Sequence, residues 1–237
     1  MKILLKFVGS SVLSALLVFG GLVAHMKYES SQYVPPPTLE QQLDNVVAIQ
    51  TIGGDYCSGW ILKGTHTIVT AAHCVPADDA TLPVAVLFQG DETVRIFHVE
   101  KRGDENLKQG PDLMTLTTDT QTQAAIKWPA GLSVCTFKPY YGEHLNLMGG
   151  PLAYSSTISG GQVSNPDRNL DDAVQSTFGH FIQYDGALMP GNSGGPAIDS
   201  SQGCVMGVAE MLYAREADGQ IFNLAFLTPI TYLDQLK

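Results

Sequence analysis

A serine framed by glycines, a histidine behind two alanines and an aspartate opening an apolar run are the residues of this chain best suited to chemistry. The serine is Ser193, in Pro190-Gly191-Asn192-Ser193-Gly194-Gly195-Pro196. Glycines admit backbone conformations that other residues avoid, so amide N–H groups can converge beside the hydroxyl. Such donors could stabilise the oxyanion of a tetrahedral intermediate. An ordinary Gly-rich turn would read the same way, so the serine needs partners. The histidine is His73, in Thr70-Ala71-Ala72-His73-Cys74. A lone histidine at an apolar strand end is more often structural. Cys57, 17 residues before Cys74, alters that reading. A Cys57–Cys74 bridge would clamp two adjacent strands, fix the loop bearing His73 and contribute ~3 kcal/mol.

Ten aspartates lie between His73 and Ser193. Asp112 stands out because it opens Asp112-Leu113-Met114-Thr115-Leu116. An acid in that position is partly buried, and a buried carboxylate needs a partner, a role the His73 N–H suits. Gly191-x-Ser193-x-Gly195 also matches the nucleophile elbow of α/β-hydrolases. In that fold the catalytic histidine follows the serine, whereas the last histidine here is His180. The alternating helices of that fold are missing too.

Taken in order, Cys57-Ser58-Gly59-Trp60, Thr70–Cys74, Asp112–Leu116 and Gly191–Pro196 resemble the chymotrypsin/trypsin-like serine proteases. The order His, Asp, Ser is that family's order, with spacings of 39 and 81 residues. Ile182 to Ser193 looks closer to the bacterial HtrA-like branch. The resemblance covers about residues 44–237. It implies an all-β fold of two six-stranded antiparallel barrels with the active site in the cleft between them. It also implies an endopeptidase with Ser193 as nucleophile, His73 as general base and Asp112 as its orienting acid.

Departures from the family pattern carry their own expectations. Where many animal members have an aspartate that pairs with a new N-terminus, this chain has Asn192, so no salt-bridge activation is expected. The base of the S1 pocket, six residues before the nucleophile, is Ala187, flanked by Leu188 and Met189. The absence of an acid there argues against Arg or Lys specificity. Ala209 stands where Glu-specific relatives place a histidine. The wall Glu210-Met211-Leu212 is expected to pair with substrate backbone as an added strand, with Leu212 narrowing the pocket for a small or medium apolar P1 residue. HtrA enzymes usually carry a following PDZ domain. The sequence ends at Lys237, so neither that domain nor trimeric behaviour is expected, and a monomer is. The competing reading is a catalytically inactive, protease-like binding protein.

The elements that must position these residues are short β-like runs. They fall at Val46–Ile52, Ser58–Leu62, His66–Thr70, Val84–Phe88, Thr93–Val99 and Leu113–Thr117. The second half offers Ser133–Phe137, His144–Met148, Leu152–Ser159, Phe178–Tyr184, Pro196–Asp199, Val205–Met211 and Ile221–Phe226. Many short strands between turn signals indicate a sandwich or barrel. This divides the domain into a first barrel at about 44–120 and a second at about 133–237. Helix is expected at Thr38–Leu43, weakly at Gln121–Ile126, and at the C-terminus around Thr231–Lys237.

The chain has 237 residues, 44% hydrophobic and 15% charged, with net charge −10. A sizeable core is affordable and wholesale disorder is excluded. No basic patch marks a nucleic-acid partner. Lys2 and Lys6 precede the uncharged run Phe7–Ala24. That pattern fits a secretory signal peptide cleaved after Ala24, or a membrane anchor. Residues 25–43, with Pro35-Pro36-Pro37, read as a linker. Both readings export the rest of the chain, to the periplasm or beyond. There, disulfides persist. Of the four cysteines, Cys135 and Cys204 fall together in the second barrel and economically form a second bridge, with two free thiols as the alternative. No C-x-x-C pair occurs, and His25, His66, His98, His144 and His180 lack metal-site spacing, so neither metal nor cofactor is expected.

Overall fold

The computed structural model describes residues 35–51, 53–54, 56–150, 157–170, 178–217 and 220–236, the side chains of 211–223 excepted. The expected signal or anchor at 1–24 and most of the 25–43 linker lie outside the described residues. Among those described, no helix is long and apolar enough to cross a membrane.

Six strands build each half. They are β1 (Val46–Gln50), β2 (Tyr56–Ile61), β3 (Ile68–Thr70), β4 (Val84–Phe88), β5 (Arg95–Arg102) and β6 (Met114–Thr117), then β7 (His144–Gly149), β8 (Thr157–Asn169), β9 (His180–Tyr184), β10 (Pro196–Asp199), β11 (Val205–Ala217) and β12 (Gln220–Pro229). The first six close in the order β1-β2-β3-β6-β5-β4 and the second six in the order β10-β11-β12-β9-β8-β7. The strand pairs are antiparallel. This is the expected pair of six-stranded barrels.

Alternation explains the interiors. In β4, Val84, Val86 and Phe88 point inward, and they pack with Ile49, Phe97 and Leu116 in the first core. Leu145, Leu147, Val163, Ile182 and Leu227 fill the second. Strand β2 breaks the alternation: every residue after Tyr56 is buried. One face of β2 lines its own barrel and the other meets the neighbour. Trp60, Val69 and Leu113 from the first barrel pack with Met148, Ile198 and Val208 from the second in a third apolar cluster. The shared cluster fixes one barrel against the other, and the cleft geometry depends on it.

Among the described residues, two helices flank the strands. The α1 helix (Leu39–Leu43) is capped by Thr38 in a capping box with Gln41, and α2 (Thr120–Ala125) is capped by Asp119. The expected C-terminal helix is a 3₁₀ segment, Ile230–Gln235. It follows Pro229 and is held by burial of Ile230 and Leu236 in the inter-barrel cluster. Ser133–Phe137 is not a strand either. It makes a single parallel bridge, Val134 to Val205, with Val205 N–H donating to Ser133 and Cys135 N–H donating to Val205. Val134 and Phe137 stay exposed, so no sheet face is gained by extending the ladder. Of the expected strand at Leu152–Ser159, residues 152–156 lie outside the described residues, and β8 begins at Thr157.

Cys57 is bridged to Cys74 and Cys135 to Cys204, with Cα separations of 6.0 and 5.1 Å. Replacing Cys57 and Cys74 together by serine is expected to lower unfolding free energy by about 3 kcal/mol in denaturant titration.

The second barrel holds a buried carboxyl pair. Glu143 and Asp199 are 1% and 2% exposed. Burial, then the hydrogen bond and charge of Asp199, push Glu143 up to about 7. Burial also pushes Asp199 upward, but the Ser201 hydroxyl, Glu143 and the Gln202 and Ser201 amides hold it below its ordinary value. Glu143 therefore binds its proton more tightly folded than unfolded. Its contribution is fully present below its ordinary value of 4.5 and is lost as pH rises through about 7. The melting temperature should fall from about pH 4.5 to about pH 7 and level off above that, and Glu143→Gln should flatten that fall.

Candidate active site

The short turn Ala72–Cys74 follows β3 directly and carries His73. Three ties hold it. The disulfide bonds Cys74 to β2. The Arg102 guanidinium on β5 donates to the carbonyls of Ala72 and Val75. Glu105, paired with Arg102, accepts from the Ala77 amide at 3.2 Å. Arg102 and Glu105 drew no attention in the sequence, because two ordinary charged residues give no signal until the fold places them under the turn.

Asp112 enters from the segment preceding β6 and is 2% exposed. It grips the histidine twice. The His73 backbone N–H donates to Oδ1 at 2.7 Å and Nδ1 lies 2.5 Å from Oδ2. The two-point hold fixes both the position and the plane of the ring. It puts the proton on Nδ1 and leaves Nε2 with its lone pair. Burial lowers the His73 pKa, but the Asp112 hydrogen bond and charge, with Glu105 behind them, outweigh burial and Arg102, so the net shift is upward.

Ser193 belongs to the turn before β10, in the second barrel. Gly191 and Gly194 there have φ of +96° and +82°, the left-handed region glycine favours. At Gly194 a Cβ would also lie 2.0 Å from Thr70 Oγ1 and 2.2 Å from the Ser58 carbonyl oxygen. Asn192, Gly194 and Gly195 amides are used in backbone hydrogen bonds, while among the described residues the Gly191 and Ser193 amides donate to none. The Ser193 hydroxyl donates to the Glu210 carbonyl at 3.4 Å and makes no hydrogen bond to His73.

The barrels meet at this turn through Ser58 on β2. Its N–H donates to the Ser193 carbonyl at 2.8 Å. Its hydroxyl donates to the Gly191 carbonyl at 2.7 Å and accepts from the Gly150 amide at 2.9 Å. Thr70 Oγ1 donates to the Ser58 carbonyl at 2.7 Å. Ser58 sits inside a motif already noted, yet only the folded chain shows its side chain bracing the serine turn.

Ala187 is exposed, Leu188 buried and Met189 45% exposed. With Tyr184, Gly186 and Ala225 they line an open cleft of about 550 Å³. Asp185 also borders it, but its carboxylate accepts the Gln162 amide at 2.5 Å. Glu210 is buried, its side chain turned inward and its carbonyl toward Ser193. The strand of Met211 and Leu212 pairs with Phe226 and Ala225 of β12; their side chains lie outside the described residues.

Residues 57–208 match the trypsin-like peptidase domain. The chain belongs to the trypsin-like peptidase family. A putative serine protease, HhoA, of Synechocystis is 31% identical over 76% of this chain and 41% of its own length. A serine protease Do-like HtrA of Lactobacillus helveticus is 31% identical over 70% of this chain and 38% of its own. The chain thus spans well under half the length of those relatives. Among solved structures, the HtrA-type protease AlgW with tripeptide superposes with a TM-score of 0.63 at 20% identity, covering 84% of this chain and 62% of that one. A serine endoprotease from Yersinia pestis gives 0.59 at 21% identity, covering 85% and 66%. Those two likenesses concern the fold.

Proposed function

We propose that this chain is an exported serine endopeptidase that cleaves peptide bonds through Ser193, His73 and Asp112. The observation that carries the reading is the two-point grip of Asp112 on His73, at 2.7 and 2.5 Å, beside a glycine-framed serine. Ser193 Oγ turns from the Glu210 carbonyl toward His73 Nε2 and attacks the scissile carbonyl as the imidazole takes its proton. Asp112 stabilises the imidazolium. The amides of Gly191 and Ser193 donate to the oxyanion. His73 returns the proton to the leaving amine, and water hydrolyses the acyl-enzyme by the same path. Two disulfides and relatives named as periplasmic endoproteases support export. Ala187 and Leu188 line an open cleft with Tyr184 and Ala225, which supports reading them, with the backbone of Glu210, Met211 and Leu212, as the subsite for a small or medium apolar P1 residue.

A second reading, an inactive binding protein, draws on the Ser193 hydroxyl facing Glu210 rather than His73. Digestion of a diverse peptide mixture separates the two. The endopeptidase reading predicts cuts after Ala, Val or Leu by the wild type and none by Ser193→Ala. Cuts after Arg or Lys would overturn the subsite assignment. Absence of cutting by folded, oxidised protein would favour the binding protein.

A further inference from the structure

Behind the proposed triad lies a second buried carboxyl. Glu210 sits on β11 beside Ala209, which exchanges two hydrogen bonds with the nucleophile turn. Gly194 N–H donates to the Ala209 carbonyl at 2.8 Å, and Ala209 N–H donates to the Gly195 carbonyl at 2.9 Å. The Glu210 carbonyl accepts from Ser193 Oγ. Its side chain is 6% exposed and runs the other way, where Oε2 accepts from Thr228 Oγ1 on β12 at 2.6 Å. Thr228 is itself 1% exposed. Among the described residues no Arg, Lys or His pairs with Glu210. The charged group that bears on it is Asp112. On His73 three charged groups bear: Asp112 and Glu105 favour the imidazolium, and Arg102 opposes it.

We propose that Glu210 is a positioning acid of the triad, keeping its proton while Asp112 keeps the charge, so that loss of the Glu210 proton switches the enzyme off on the alkaline side. The proposal rests on the triad reading above. A buried carboxylate without a cation is costly and keeps its proton instead. Burial first, then the charge of Asp112, hold Glu210 well above the usual carboxylate range, against the Thr228 hydrogen bond. Protonated, Glu210 leaves one anion behind the imidazole and stays anchored to Thr228. Deprotonated, it sets a second anion against Asp112. The side chain is driven toward water, and β11 pulls on the Gly194 and Gly195 hydrogen bonds that shape the serine turn. His73 sets the acid limb of the activity profile and Glu210 the alkaline limb.

The test is kcat/KM of the full chain on a peptide substrate from about pH 5 to about pH 10, for wild type, E210Q and E210A. A wild-type alkaline fall that E210Q lacks is expected. At neutral pH, E210A should lose about thirtyfold, chiefly in kcat, and E210Q only about threefold, since the amide keeps the shape and the Thr228 contact. An alkaline fall that persists in E210Q overturns the proposal. So does an acid limb moved down by about one unit in E210Q, which would mean an anion had been removed. A readout independent of turnover is the NMR shift of the neutral His73 ring, which should show a second, alkaline titration step in wild type and none in E210Q. Its absence from wild type would sink the idea as well. Ser193→Ala run in parallel distinguishes the two levels: activity within about a hundredfold of wild type there defeats the triad reading itself, whatever E210Q does.

Discussion

Ser193→Ala is expected to lower kcat on peptide substrates by about 10⁶-fold, to the residue of catalysis that binding and oxyanion donors supply without a nucleophile. The fold should survive. Among the described residues the Ser193 hydroxyl makes a single hydrogen bond, to the Glu210 carbonyl at 3.4 Å. The turn is held by backbone groups and by Ser58. Circular dichroism and the melting temperature should therefore match wild type, and the lost rate is read against an intact scaffold. His73→Ala is expected to cost about as much, because nucleophile and base act as one unit.

Asp112→Asn is the second large effect, about 10⁴-fold in kcat, a scale taken over from Ser-His-Asp triads in general. The amide oxygen of asparagine can still accept the His73 backbone N–H now bound at 2.7 Å. Its NH₂ then faces Nδ1, which must accept a hydrogen bond instead of donating one. The ring proton moves to Nε2, and the base facing Ser193 is lost. The same change removes the carboxylate whose hydrogen bond and charge raise the His73 pKa. The acid limb of any remaining activity should therefore move to lower pH. Steady-state kinetics across pH measures both effects in one experiment.

Local patterning made much of this fold legible. Val84–Phe88 and Pro196–Asp199 form strands with the boundaries their alternation and turn residues mark. The extended β8 and the long hairpin of β11 and β12 were not legible, because their lengths follow from backbone pairing, of β8 with β9 and of β11 with β12, which no local pattern of residues marks. Ser133–Phe137 has a strand-like composition but lies against the start of β11 through one bridge and a disulfide, a tertiary tie no window of sequence reveals. The C-terminal segment is 3₁₀ where the sequence predicts a helix for a similar reason: Ile230 and Leu236 are placed by the inter-barrel cluster, not by helical periodicity.

For the site, the sequence offered residue types and order, and the structure supplies contacts. His73 and Asp112 could be nominated because a buried acid requires a partner, and they meet at hydrogen-bond distance. The bracing by Ser58, Thr70 and Arg102 was invisible. Each acts through one or two hydrogen bonds to backbone carbonyls, and such roles depend on where a carbonyl points rather than on a motif. The sequence places Glu210 in the pocket wall, and only its burial against Thr228 shows that its side chain faces inward.

The most direct test of a His73-activated serine is covalent capture. Folded, oxidised protein would be treated with a fluorophosphonate and the adduct located by peptide mass spectrometry. A single adduct on Ser193, its formation strongly slowed in His73→Ala, is the predicted result. No adduct, or one on another residue with Ser193 unmodified, would contradict the assignment of Ser193 as the nucleophile.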